Sequence, residues 1–119
     1  MDIDDTDVLD QLLAADDDTL DGLPFGVIGM DDDHRVVLYN RAESALSGLS
    51  PERVLGRHFF SEVAPCTNNF MVAHRFEAEE ELDADVDYVF TLRMKPTPVR
   101  LRLLRRAGAA RQFMLVLQT

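Results

Sequence analysis

The sequence predicts an α+β domain: a five-stranded antiparallel sheet with helices on one face, preceded by an N-terminal helical cap. Three observations carry this. Two short apolar runs near the front, "FGVIGM" and "RVVLYN", flank the turn-forming "DDDH", which is the pattern of a hairpin. Three further apolar runs crowd the back: "DVDYVFTLRM", "PVRLRLLRR" and "RQFMLVLQT". Between the two groups lie short segments with helix start and stop residues. Strands at both ends with helices between them is the order of an α+β domain.

Taken in order, residues 1–24 form the cap. "VLDQLLAA" sets Val8, Leu9, Leu12 and Leu13 on one helical face, and Gly22 with Pro24 breaks the pattern. The core runs over 25–119 and opens on the hairpin. Residues 40–49 read as a short helix ending at Gly48. Ser50 as N-cap, Pro51 at the first helical position and Gly56 as a stop define the next. "RHFFSEVA" is a short helix or loop carrying apolar weight. Asn69 is the expected cap of a longer helix through "NNFMVAHRFEAEEEL", with Phe70, Ala73, His74 and Glu77 at helical spacing. In the last third, Val99, Leu101 and Leu103 alternate with Arg100 and Arg102, as in a half-buried strand. "RAGAAR" is the loop of the final hairpin.

At 119 residues the chain is one domain with one real core. The net charge of −10 argues against nucleic acid and anionic membranes as partners, because phosphate contacts need clustered Lys and Arg. No apolar run approaches the roughly 20 residues that span a bilayer, and the acidic first residues are not a targeting signal. A single cysteine makes no internal disulfide, which fits a reducing, cytoplasmic location. One lysine stands against eleven arginines, and aspartate dominates the acids; the balance reads either as adaptation to a saline (halophile) cytosol or as a plain acidic protein. The charge is also polarised. Residues 1–33 hold twelve aspartates and no Lys or Arg, while residues 88–119 hold seven basic residues and no acid. The cap therefore either docks on the C-terminal strands or faces solvent independently, and docking needs apolar help because surface pairs are individually weak.

Two places carry candidate chemistry. In "YNRAESALSG", Tyr39, Glu43 and Ser47 fall four residues apart and form one stripe if the helix begins near Tyr39. The ordinary reading is a solvated face, yet Ala42 and Leu46 lie close to it. A phenol and a carboxyl one turn apart can both reach a single buried oxygen. The second place is "SEVAPCTNNF", which holds Cys66. A lone cysteine is ordinarily a small buried hydrophobe. Read functionally, it is a nucleophile or an attachment point. His58 and His74 each lie eight residues away, a spacing that indicates no Cys–His pair, so hydrolase chemistry has little support. Phosphate loops, paired-cysteine motifs and His-x-x-x-His motifs are absent.

Together, "DGLPFGVIGMDDDHRVVLYNRAESALSG", "GRHFFSEVAPCT" and "FTLRMKPTPVRLRL" resemble the photoactive yellow protein family of blue-light receptors. The resemblance runs from about Leu20 to the C-terminus, with a small deletion between Phe76 and Tyr88. It implies a PAS-like fold and a covalent cofactor, p-coumaric acid (4-hydroxycinnamic acid), held by Cys66 through a thioester. Tyr39 and Glu43 match the pair that hydrogen-bonds the chromophore phenolate. Ser47 matches a threonine that supports the tyrosine, and the Cys66 amide matches the donor to the thioester carbonyl. Phe59, Val63, Ala64, Thr67, Phe90 and Met94 match positions that line the pocket. Two departures stand out: Leu49 replaces an arginine that shields the phenolate, and Leu92 replaces a pocket tyrosine. The implied role is a light sensor and not an enzyme. It would be a monomer or weak dimer that signals to a separate, unknown downstream protein, with no nucleic acid or membrane involved. The alternatives are a PAS-type module that binds a small molecule non-covalently or dimerises, with an inert Cys66, and a cysteine-dependent acyl-transfer enzyme. A flavin–cysteine photosensor is disfavoured by the "APCTNN" context.

Overall fold

A computed structural model describes residues 1–92 and 94–119, and of Leu92 the backbone alone. Ten regular elements follow in order: α1 (Val8–Ala14), α2 (Asp17–Asp21), β1 (Gly26–Met30), β2 (Val36–Tyr39), α3 (Arg41–Ser47), α4 (Pro51–Val54), α5 (Ala73–Ala78), β3 (Leu82–Leu92), β4 (Lys95–Arg105) and β5 (Gln112–Gln118). The strands form one antiparallel sheet in the order β2-β1-β5-β4-β3. The last strand thus inserts between the front hairpin and the back one, and Gly26 of β1 lies opposite Val116 of β5.

Alternate side chains of a strand point to opposite faces, and here both faces are covered. On one, α3, α4, α5 and the loop helices pack over Phe59, Phe60, Phe76, Leu101, Leu103 and Met114. On the other, Ile3, Val8, Leu12 and Leu20 of the cap pack against Val27, Leu38, Phe113 and Leu115. Burial on both faces explains why "FMLVL" in β5 is continuously apolar and not alternating. The prolines of β4 sit where they cost no ladder bond on the β5 side. Pro96 and Pro98 lie before the register with β5, which runs from Val99 onward, and Pro98 meets that side only through its carbonyl, which accepts from the Thr119 amide.

The charge polarity of the sequence resolves as docking. Asp4 pairs with Arg100 (2.7 Å), Asp10 with Arg106 (2.7 Å) and Asp17 with Arg111 (2.8 Å). Arg102 is the buried member of the set. It donates to the carbonyls of Ile3 and Asp5, both at 2.7 Å, and grips the Asp83 carboxylate through two bonds of 2.9 Å. A planar fork with five donors suits that double task.

Two expectations change. The helix anticipated from Asn69 begins only at Ala73. The Asn69 side-chain carbonyl accepts from the amides of Met71 and Val72, which spends it on a turn. Phe70 is consequently 76% exposed, and the buried face is Val72, Ala73 and Phe76. The same shift lets β3 begin at Leu82, whose side chain is buried opposite Arg105.

Candidate ligand-binding site

Over the inner face of the sheet lies a cavity of about 210 Å³. It is lined by Tyr39, Glu43, Ser47, Leu49, Phe59, Val63, Ala64, Phe90 and Thr91, and by Pro65 and Cys66, which are also exposed to solvent. Its walls are mostly apolar with a few convergent polar groups, the composition of a site for one small ligand.

The polar part of the lining is built by two elements. Tyr39 is the last residue of β2 and not the first of a helix, so the helical stripe read from the sequence is half right. Glu43 and Ser47 are one turn apart on α3, and Tyr39 reaches them from the strand end. Its hydroxyl donates to Ser47 Oγ at 2.7 Å. Between strand and helix stands Asn40, the N-cap of α3, fully buried. Its Oδ1 accepts from the amides of Val27 (2.9 Å) and Glu43 (3.0 Å), and its Nδ2 donates to the carbonyls of Leu20 and Phe25, both at 3.0 Å. One side chain therefore joins the cap, β1 and the helix that carries the acid. At the other end of α3, Gly48 adopts a left-handed conformation (φ 78°) that ends the helix.

Glu43 is buried, and its Oε1 has no hydrogen-bond partner among the described residues. Burial pushes its pKa up to about 8, against an opposing pull from the Tyr39 phenol. It is therefore a neutral acid at pH 7, because desolvation penalises the charged form. Tyr39 is also held above its ordinary value, by burial first and then by the proximity of Glu43, with Ser47 opposing. The site thus presents two protonated oxygen donors and no fixed cation among the described residues that line it.

Cys66 lies in a 3-10 turn, Pro65–Thr67. Cys66 is exposed as a residue, yet the partial desolvation of its sulfur raises the thiol, and backbone groups of Cys66 and Thr91 pull it partly back, so it is a thiol and not a standing thiolate at neutral pH. The turn is clamped from β3: the Tyr88 hydroxyl donates to the Cys66 carbonyl at 2.5 Å, and Asn69 Nδ2 donates to both that carbonyl (3.1 Å) and the Tyr88 oxygen (2.7 Å). Nothing in the sequence marked Tyr88 or Asn69 for this; the bond spans 22 residues and exists only once β3 lies beside the turn. Thr67 is buried and donates to the Ala64 carbonyl at 2.7 Å, so it holds the turn from behind and does not line the cavity. Met94 departs furthest from expectation. It occupies the β3–β4 turn with φ 64° and is 94% exposed, away from the cavity. The expectation for the Leu92 side chain lies outside the described residues. Neither His58 nor His74 lines the cavity; His58 Nδ1 instead accepts from the Ser61 amide.

A sheet-and-helix shell around one small cavity, lined by neutral donors and a thiol, is an arrangement suited to one small ligand. Residues 16–119 match the PAS fold. The chain is 36% identical over 102 residues to the photoactive yellow protein of Rhodothalassium salexigens, covering 83% of this chain and 82% of that one. It is 37% identical over 100 residues to that of Halochromatium salexigens, covering 82% and 80%. Among solved structures, it resembles the photoactive yellow protein domain of the sensor histidine kinase Ppr from Rhodospirillum centenum, with a TM-score of 0.79 and 40% identity over 87% of this chain and 93% of that one. The chain belongs to the photoactive yellow protein family of PAS photoreceptors.

Proposed function

We propose that the protein is a blue-light receptor whose cavity holds 4-hydroxycinnamic acid as a thioester of Cys66. The observation that carries this reading is the buried, unpartnered Glu43 Oε1 beside the Tyr39 hydroxyl. A dry carboxylic acid without an acceptor is costly; a phenolate oxygen from the ligand supplies the acceptor for Glu43, and for Tyr39 once its hydroxyl turns from Ser47 and the serine hydroxyl donates to the Tyr39 oxygen instead. Once bound, the group supplies visible absorption and a double bond that light can isomerise.

The chain's own residues do the rest. The Cys66 thiol displaces the leaving group of an activated acyl ester of the acid; an S–C bond forms, the ester bond breaks, and the thiol proton departs with the leaving group. The thiol reacts once and then stays acylated, so the reading asks for no base beside it. Tyr39 and Glu43 share the ligand's negative charge without a full counter-ion. Leu49 lines the cavity without a charge of its own and leaves the ligand's charge to those two donors. When light moves the ligand, Glu43 would pass its proton to the ligand's phenolate oxygen, and the carboxylate left behind would be buried with no cation among the described lining residues. Asn40 ties the helix of Glu43 to the cap, so cap release is the signal passed to a downstream partner.

Intact mass of the chain, made together with an activated 4-hydroxycinnamate, tests the reading. A single acyl adduct on the Cys66 peptide and a visible band are expected. A Cys66→Ser chain that keeps the band would overturn the thioester, and a coloured, unacylated wild type would leave a non-covalent PAS sensor.

A further inference from the structure

The acid's position depends on a residue with no side chain. The geometry points to Gly26 as a positioning residue: its bare Cα lets the Glu43 carboxyl lie folded against β1 at the wall of the cavity. A Cβ built on Gly26 collides with Glu43 Oε1 and lies 3.2 Å from both Glu43 Cβ and Val116 Cβ. Two of these three neighbours have little freedom to yield. Val116 is buried in β5 directly opposite Gly26 in the sheet register. The Glu43 backbone is held by the bond from its amide to Asn40 Oδ1, and that oxygen also holds Val27 of the same strand. What can move is the carboxyl arm, and the open space beside it is the cavity that Glu43 already lines.

The consequence is chemical as well as steric. Seated against the strand, Oε1 is dry and unpartnered. Displaced from the strand, the carboxyl loses that dry seat and meets whatever solvent enters the cavity, and its proton becomes easier to lose. Tyr39 from β2 and Cys66 from the attachment turn are the other titratable groups among the described lining residues, and both stay protonated in the same range.

The test reads the acid itself, so it stands apart from the light-sensing reading. The carboxylic C=O stretch of Glu43, assigned by its loss in Glu43→Gln, is followed by infrared difference spectroscopy across pH in the full chain. Gly26→Ala should shift that band and lower its titration midpoint by about one unit, a tenfold change in proton affinity. Gly29→Ala is the control. It crowds the same strand, 3.0 Å from Leu38 Cβ, and does not touch Glu43, so it should leave the band in place. An unmoved band in a folded Gly26→Ala chain, or an equal shift in Gly29→Ala, overturns the proposal. If Gly26→Ala does not fold, adding Glu43→Ala decides: recovery of folding supports the clash with the carboxyl arm, and failure to recover overturns it.

Discussion

At the scale of single residues, the main quantity is the proton on Glu43. Its folded pKa of about 8 stands above the ordinary 4.5. The native chain therefore keeps a proton that the unfolded chain releases between those values. The resulting stability is fully present below pH 4.5 and is lost as pH rises through about 8, with a slope of about 1.4 kcal/mol per unit in between. His34, held below 6.5 mainly by burial, acts in the opposite direction over part of that window. The informative measurement is thus the difference in denaturation free energy between the chain and Glu43→Gln across pH. That difference should change steadily from pH 5 to 8, and a flat difference means that Glu43 is not a buried acid. With the ligand attached, Glu43→Gln should move the visible band to longer wavelength, since an amide donates a weaker hydrogen bond to a phenolate than a neutral acid does. Cys66 is legible in the sequence as the one sulfhydryl on a turn. The unusual acidity of Glu43 is not legible there, because it comes from burial by residues far away in the chain.

At the scale of elements, α3 ties the site to the rest of the molecule, through Asn40. Four buried hydrogen bonds converge on one amide, and its replacement by alanine loses the helix cap and orphans partners on the cap and on β1. Asn40→Ala should destabilise the chain by roughly 2–3 kcal/mol in urea titrations. It should also raise amide exchange at Val27 and Glu43 before the strands of the back hairpin. A uniform rise in exchange would mean that Asn40 adds stability without linking the cap to α3. Elements with a strong local signature, such as the front hairpin and the helix ending at Gly48, were readable from their turn and cap residues. The segment after Asn69 was not. Its helical spacing was real, but the asparagine's oxygen could serve a turn as well as a helix, and the neighbouring strand's Tyr88 selected the turn by taking the side-chain amine.

At the scale of the whole molecule, a sheet covered on both faces separates the sensing cavity from the cap, and β1 and β5 contribute residues to both sides. Charge brings the acidic front to the basic back, while Val8, Leu12 and Leu20 supply the burial that holds it there. Leu12→Ala should therefore cost about 2–5 kcal/mol. Limited proteolysis should show cleavage within residues 1–24 well before the core; resistance equal to the wild type would mean that the cap is held by its ion pairs alone. The chain's own order of residues determined the α+β class, the five strands, the acidic cap and the family, because these rest on local periodicity, turn chemistry and short motifs. It also carried the candidate set of Cys66, Tyr39, Glu43 and Ser47. Only the tertiary structure decided that the cap takes the sheet's second face, that Tyr39 reaches Ser47 from a strand, that Met94 faces solvent, and that Glu43 sits dry above Gly26. Each of these depends on which distant surfaces meet, and a desolvated carboxyl exists only after they have met.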